Sequence, residues 1–90
     1  MDYDEQCRRL HGKEITIKEF IAKEEYNVYT KIFLYRKGSN IGRKIELSEL
    51  VEIQDTLEPN GVLEAGYEQW EDERGWVHEG RRLEFDVRER

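Results

Sequence analysis

From Val28 to Lys37 the side chains alternate in character. Val28, Thr30, Ile32 and Leu34 fall on one side of an extended backbone, and Tyr29, Lys31, Phe33, Tyr35 and Lys37 on the other. Successive residues of a strand point to opposite faces. The stretch therefore predicts a strand with one face suited to a core and a second face that interleaves rings with cations. Gly38 ends it by opening a turn, and Arg43 to Leu47 predicts the returning strand, with Arg43, Ile45 and Leu47 on one face.

The segments on either side extend this unit. Lys13 to Ala22 (KEITIKEFIA) alternates, with Ile15, Ile17 and Ile21 on one face and Glu19 as the exception among them. It predicts a strand that places Thr16, Lys18 and Phe20 on the opposite face. The link Lys23 to Asn27 has hairpin length, so this strand is expected to pair antiparallel with the next. Ser48 reads as a helix N-cap with Glu49 in the first turn. Leu50, Ile53 and Leu57 follow at helical spacing, Val51 lies at the margin, and Pro59-Asn60-Gly61 stops the helix. Glu71 to Gly75 forms a turn signal between two segments that end the chain as a β-hairpin. The expected fold is α+β: an antiparallel β-meander with one helix packed on its apolar face and a C-terminal β-hairpin. It forms a single domain over residues 1–90. Residues 1–12 read as a flexible arm or a short helix, 13–58 as the strand-strand-strand-helix unit and 62–90 as the acidic hairpin.

Ninety residues leave room for one modest core, and a charged fraction of 40% against 37% hydrophobic residues puts much of the chain in water. Small domains of this kind gain stability by pairing, so a homodimer is one expectation. The single Cys7 cannot form an internal disulfide and fits a reducing compartment. No apolar run reaches the length of a membrane span, and the first residues lack a secretory pattern. These features predict a soluble, cytoplasmic protein with no membrane partner.

The net charge of -6 conceals an asymmetry. Residues 1–47 hold ten Lys/Arg against eight Asp/Glu, whereas residues 48–90 hold five against thirteen. Within 26–47 five cations face one acid, so local positive charge is available to a polyanion. Single strands of nucleic acid are held by cations that follow phosphates and by rings on which bases stack. Lys18, Phe20, Tyr29, Lys31, Phe33, Tyr35 and Lys37, flanked by Arg43 and Lys44, supply both parts. The competing assignment for these rings is packing under the hairpin or against a partner subunit.

ITIKEF, VYTKIFLYRKG and GRKIELSELVEI, over residues 14–57, are similar in order and spacing to the positive-cofactor-four family of transcriptional coactivators. In that resemblance Lys18-Glu19-Phe20 corresponds to a basic-acidic-aromatic trio ending a strand, and Arg43-Lys44 to a basic pair entering the third strand. It implies dimerisation through the helix and single-stranded DNA held in sheet channels. The match is degenerate. Lys44 runs straight into Ile45-Glu46-Leu47 where the family has a glycine, and Tyr35-Arg36 stands where it has two rings. The acidic final third has no counterpart in the family.

The expected function is noncatalytic binding of single-stranded DNA or RNA, in transcription or DNA metabolism. The alternative is an acidic protein-interaction module, a small inhibitor or adaptor of the kind phages encode, that docks on a basic partner surface. Tyr67, Trp70, Glu71, Asp72, Glu73 and Trp76 would carry that contact, unless both tryptophans belong to the core. Catalysis is not expected. His11, His78 and Cys7 lack the spacing of a metal site, so no metal or cofactor is expected. Arg8 and Arg9 lie where they could activate Cys7, but no base is placed beside it. Gly38, Gly42 and Lys44 do not make a phosphate loop.

Overall fold

A computed structural model describes residues 3–90. The chain runs through α1 (Tyr3–Leu10), β1 (Glu14–Thr16), α2 (Ile17–Ala22), α3 (Glu24–Asn27), β2 (Lys31–Tyr35), β3 (Gly42–Ile45), α4 (Leu47–Ile53), a 3-10 turn (Gln54–Thr56), β4 (Asn60–Glu71) and β5 (Val77–Arg88). The class is α+β. The part of the expected arm or short helix within the described residues is α1, while Met1 and Asp2 lie outside them.

The five strands form one sheet in the order β1-β4-β5-β2-β3. The C-terminal hairpin β4–β5 is present with its turn where expected, but it fills the centre of the sheet instead of following a separate meander. β1 pairs antiparallel with β4, and β2 pairs parallel with β5, so the expected antiparallel pairing of the first two strands does not occur. Only the β2–β3 hairpin of the expected meander is formed.

The first strand is the main correction. Only Glu14–Thr16 is extended, and Ile17–Ala22 is helical. Thr16 caps that helix: its hydroxyl accepts the Glu19 amide at 3.0 Å, satisfying one of the unpaired N–H groups of the first turn. Thr16-Ile17-Lys18-Glu19 has the sequence of a capping box, and Ile17, Phe20 and Ile21 then share a helical face. Asn27 closes the other end by donating from its amide to the Phe20 and Ile21 carbonyls at 3.0 and 3.1 Å. Smaller shifts follow elsewhere. β2 begins at Lys31, so Val28 and Tyr29 precede the strand and are exposed. α4 begins at Leu47 with Glu46 as the capping residue, so Ser48 is not the N-cap, and Leu47 is exposed at the helix start.

Register decides which residues are buried. Leu63, Phe85, Ile32 and Ile45 form one row across four strands, and Ala65 and Leu83 are paired in the next. All point to one face. There they join Cys7 and Leu10 of α1, Ile17 and Phe20 of α2, Tyr26 of α3 and Leu50 of α4 in a single core. Phe20 stacks on Phe85 with ring centroids 4.1 Å apart and planes 12° from parallel. Each ring buried this fully contributes roughly 1.5–3 kcal/mol. Gly61 lies beneath this stack, where a Cβ would stand 2.6 Å from the Phe85 ring. The helices cover this face of the sheet and leave the other open.

Gly61→Ala should therefore destabilise the protein by about 1–3 kcal/mol, read as a lower denaturation midpoint with an unchanged denaturant slope. An unchanged midpoint would contradict the close approach of β4 to Phe85.

Candidate interaction surfaces

The open face is built from the alternate residues of the same strands. One row runs Glu14, Val62, Asp86, Phe33 and Lys44, and the next runs Glu64, Glu84 and Lys31. Arg88, Tyr35 and Gly42 make a third. The Tyr35 ring lies over Gly42, where a Cβ would come within 2.8 Å of it, and the Arg88 guanidinium stands 5.0 Å from the ring centroid.

The structure divides the residues expected to bind nucleic acid. Lys31, Phe33, Tyr35 and Lys44 do share the open face. Phe20 does not: it is fully buried against Phe85, because the helical turn at Ile17 rotates it into the core. Lys18, on the same helix, is exposed away from the sheet rows, and Tyr29 is 69% exposed in the segment before β2. Lys37 lies in the turn after β2, and Arg43 alternates to the side of the sheet opposite Lys44 and pairs with Glu49 at 2.8 Å.

Three residues that the sequence reading passed over dominate the centre of the face. Glu64, Glu84 and Asp86 form no ion pair among the described residues, because the nearby cations are engaged elsewhere. Lys31 pairs with Glu68, Arg82 reaches Glu68 at 3.3 Å, and Lys44 reaches Glu46 at 3.6 Å. Burial, and then the charges of Glu64 and Glu84, push the Asp86 carboxyl up to about 6. Burial also raises Glu84, with Glu64 and Glu68 adding to it. Asp86 Oδ1 is buried without a hydrogen-bond partner among the described residues. Beside it a groove of about 650 Å³ opens between the start of β4 and the chain end, bordered by Glu14, Glu58, Glu64, Asp86, Arg88 and Arg90.

The second surface is the free end of the hairpin. β1 pairs with β4 only as far as Val62, and β2 pairs with β5 only from Glu84, so residues 66–82 continue as a two-stranded ribbon. Its turn is organised by Asp72. One carboxylate oxygen accepts the amides of Arg74 and Trp76 at 2.9 and 3.0 Å, and the other lies 2.7 Å from His78 Nε2. The His78 contact, followed by these amides, holds Asp72 below the usual carboxylate range. Gly75 supplies the positive φ of 81° that the turn requires. Trp70 stacks on His78, and the Arg82 guanidinium lies 4.0 Å from the Trp70 ring centroid. Trp76 at 69% and Tyr67 at 70% are exposed, so these rings are not core.

Cys7 is enclosed in the core, and burial raises its thiol above the ordinary value instead of activating it. His11 accepts the Ala65 amide through Nδ1 at 2.9 Å, tying the end of α1 to β4. Among the described residues no group of His, Cys, Asp and Glu is arranged to hold a metal ion, and no helix is long and apolar enough to cross a membrane.

The raised Asp86 carboxyl has a signed consequence. Its folded pKa lies above that of an unfolded aspartate, so its contribution to stability is fully present below about pH 4 and is lost as the pH rises through about 6. Asp86→Asn should therefore stabilise the protein at neutral pH by about 1 kcal/mol, allowing for solvent screening, with the difference vanishing below about pH 4. Paired thermal melts across this range test it. A variant less stable than the parent at neutral pH would contradict the unpaired, repelled carboxylate.

Comparison with protein-family models, curated proteins and solved structures finds no match to this chain, so the likeness to the positive-cofactor-four family rests on residues 14–57 alone.

Proposed function

We propose that the chain is a noncatalytic protein-interaction module that docks on a basic surface of a partner through the acidic, aromatic ribbon of β4 and β5. The observation that carries this reading is the exposure of Tyr67 and Trp76 on a ribbon that runs beyond its neighbouring strands. Exposed rings of this size are the side chains most often found as anchors at interface centres. Around them stand Glu68, Glu71, Asp72, Glu73 and Glu79, a field that steers a positively charged surface toward the rings. Asp72 fixes the turn, and the Trp70–His78 and Trp70–Arg82 contacts stiffen the ribbon, so less ordering is needed on binding.

The nucleic-acid reading retains Phe33, Tyr35, Lys31 and Lys44 on one face. A strand of phosphates laid along those rings would pass Glu84 and Asp86, whose charges are unpaired among the described residues. Repulsion there opposes the electrostatic term that supplies most single-strand affinity. On the ribbon five acids outnumber Arg74, Arg81 and Arg82, and Arg81 and Arg82 are paired with Asp4 and Glu68.

A labelled arginine-rich peptide and a labelled single-stranded oligonucleotide, titrated in parallel at low and moderate salt, separate the two readings. The peptide should bind with a change in tryptophan emission, and Trp76→Ala should weaken it by about 2 kcal/mol while leaving the fold intact. Tighter binding of the oligonucleotide, lost in a Phe33→Ala/Tyr35→Ala variant and not in Trp76→Ala, would overturn the proposal.

A further inference from the structure

All four helices share one core with the sheet, which leaves the opposite face without a partner among the described residues. That face has two unresolved costs at its centre. Glu64, Glu84 and Asp86 repel one another without an ion pair among the described residues, and Asp86 Oδ1 is buried without a hydrogen-bond donor. A buried acceptor left unpaired is costly, and such groups are rare in folded proteins. Arg88 and Lys31 offset this only in part, and the Glu84 and Asp86 carboxyls both stay raised. Lys31 and Arg82 are drawn to Glu68, Lys44 to Glu46, and Arg88 lies over the Tyr35 ring.

We propose that the open sheet face is a docking surface for a basic segment of a protein partner, with an arginine side chain entering the groove beside Asp86. This deepens the reading of the chain as a module for basic partners, and rests on it. Charge complementarity chooses the occupant: the groove is bordered by four acids, Glu14, Glu58, Glu64 and Asp86, against two cations, Arg88 at the Tyr35 ring and Arg90, which donates to the Leu57 carbonyl, and its volume of about 650 Å³ admits a long side chain. Val62 and Phe33 flank Asp86 in its row and offer apolar surface to the aliphatic stem. A guanidinium brings five N–H donors in a planar fork, enough to pair with Asp86 and a neighbouring carboxylate together. The ladder of His78, Trp70, Arg82 and Glu68 continues the same face into the ribbon, so one partner can span both surfaces.

The experiment is an amide NMR titration of the whole chain at low salt and neutral pH. The probe is an unstructured peptide alternating Arg and Ser, and the control is the same peptide with neutral citrulline at each Arg. The arginine peptide should shift the amides of residues 31–35, 62–64 and 84–86, and the citrulline peptide should not. Glu84→Gln/Asp86→Asn should weaken binding by about tenfold or more while remaining folded, since it removes repulsion. A Trp70→Ala/Trp76→Ala variant should keep the shifts at residues 84–86. Shifts confined to residues 67–79 would overturn this inference and leave the ribbon reading standing. Shifts at the face that persist undiminished in the ribbon variant, with none at the ribbon of the parent, would support the face and remove the ribbon reading. Shifts at residues 84–86 that grow with protein concentration alone would assign the face to a second copy and overturn the inference. No shift with the peptide, or equal shifts with citrulline, would overturn it as well.

Discussion

The stack of Phe20 on Phe85 joins the two halves of the chain, and much of the architecture depends on it. Phe85 sits on the central strand, in the same row as Leu63 and Ile32, and Gly61 gives it room. Phe20 reaches it only because the backbone turns helical after Thr16. Were residues 17–22 extended, Phe20 would point away from the Ile15 and Ile17 side, and the centre of the core would lack its largest pair. Burial of these rings outweighs the alternation that would otherwise favour a strand.

Closing one face in this way determines what the other can do. A sheet flanked by helices on a single side exposes a whole set of alternate residues. Here that set mixes rings, cations and carboxylates in separate zones: Phe33, Tyr35 and Lys44 toward the β3 edge, Glu64, Glu84 and Asp86 at the centre, and Trp70 and Arg82 toward the ribbon. The charge asymmetry of the sequence thus becomes a spatial one. The acids sit beside the rings, and the proposed preference for a basic protein surface over a phosphate chain rests on that placement.

How much of this was legible in the sequence varied with the range of the interaction. The hairpin turn was readable because Asp72 and Gly75 do local work, one as a side-chain acceptor and the other through its positive φ. The β2–β3 hairpin was readable for the same reason at Gly38, whose φ is 79°. The helix α2 was misread although its signals were present: Thr16 and Glu19 at capping-box spacing, and Glu19 breaking the alternation. The position of β4 and β5 between β1 and β2 was not legible, because a parallel pairing such as Leu34 with Val87 leaves no mark on local sequence. Of the two proposed surfaces, the exposed tryptophans were in view as an alternative. The central carboxylates were missed, although Leu83-Glu84-Phe85-Asp86-Val87 alternates strictly and puts both acids on one face.

The sheet is closed on one side and open on the other, with its aromatic ribbon in water. The most direct test is the attenuation of side-chain NMR signals by a neutral, soluble paramagnetic agent. Strong attenuation at Tyr67 and Trp76, intermediate at Phe33 and Tyr35, and none at Phe20 and Phe85 is the predicted order. Protection of Trp76 equal to that of Phe85, or attenuation of Phe20 equal to that of Tyr67, would contradict it.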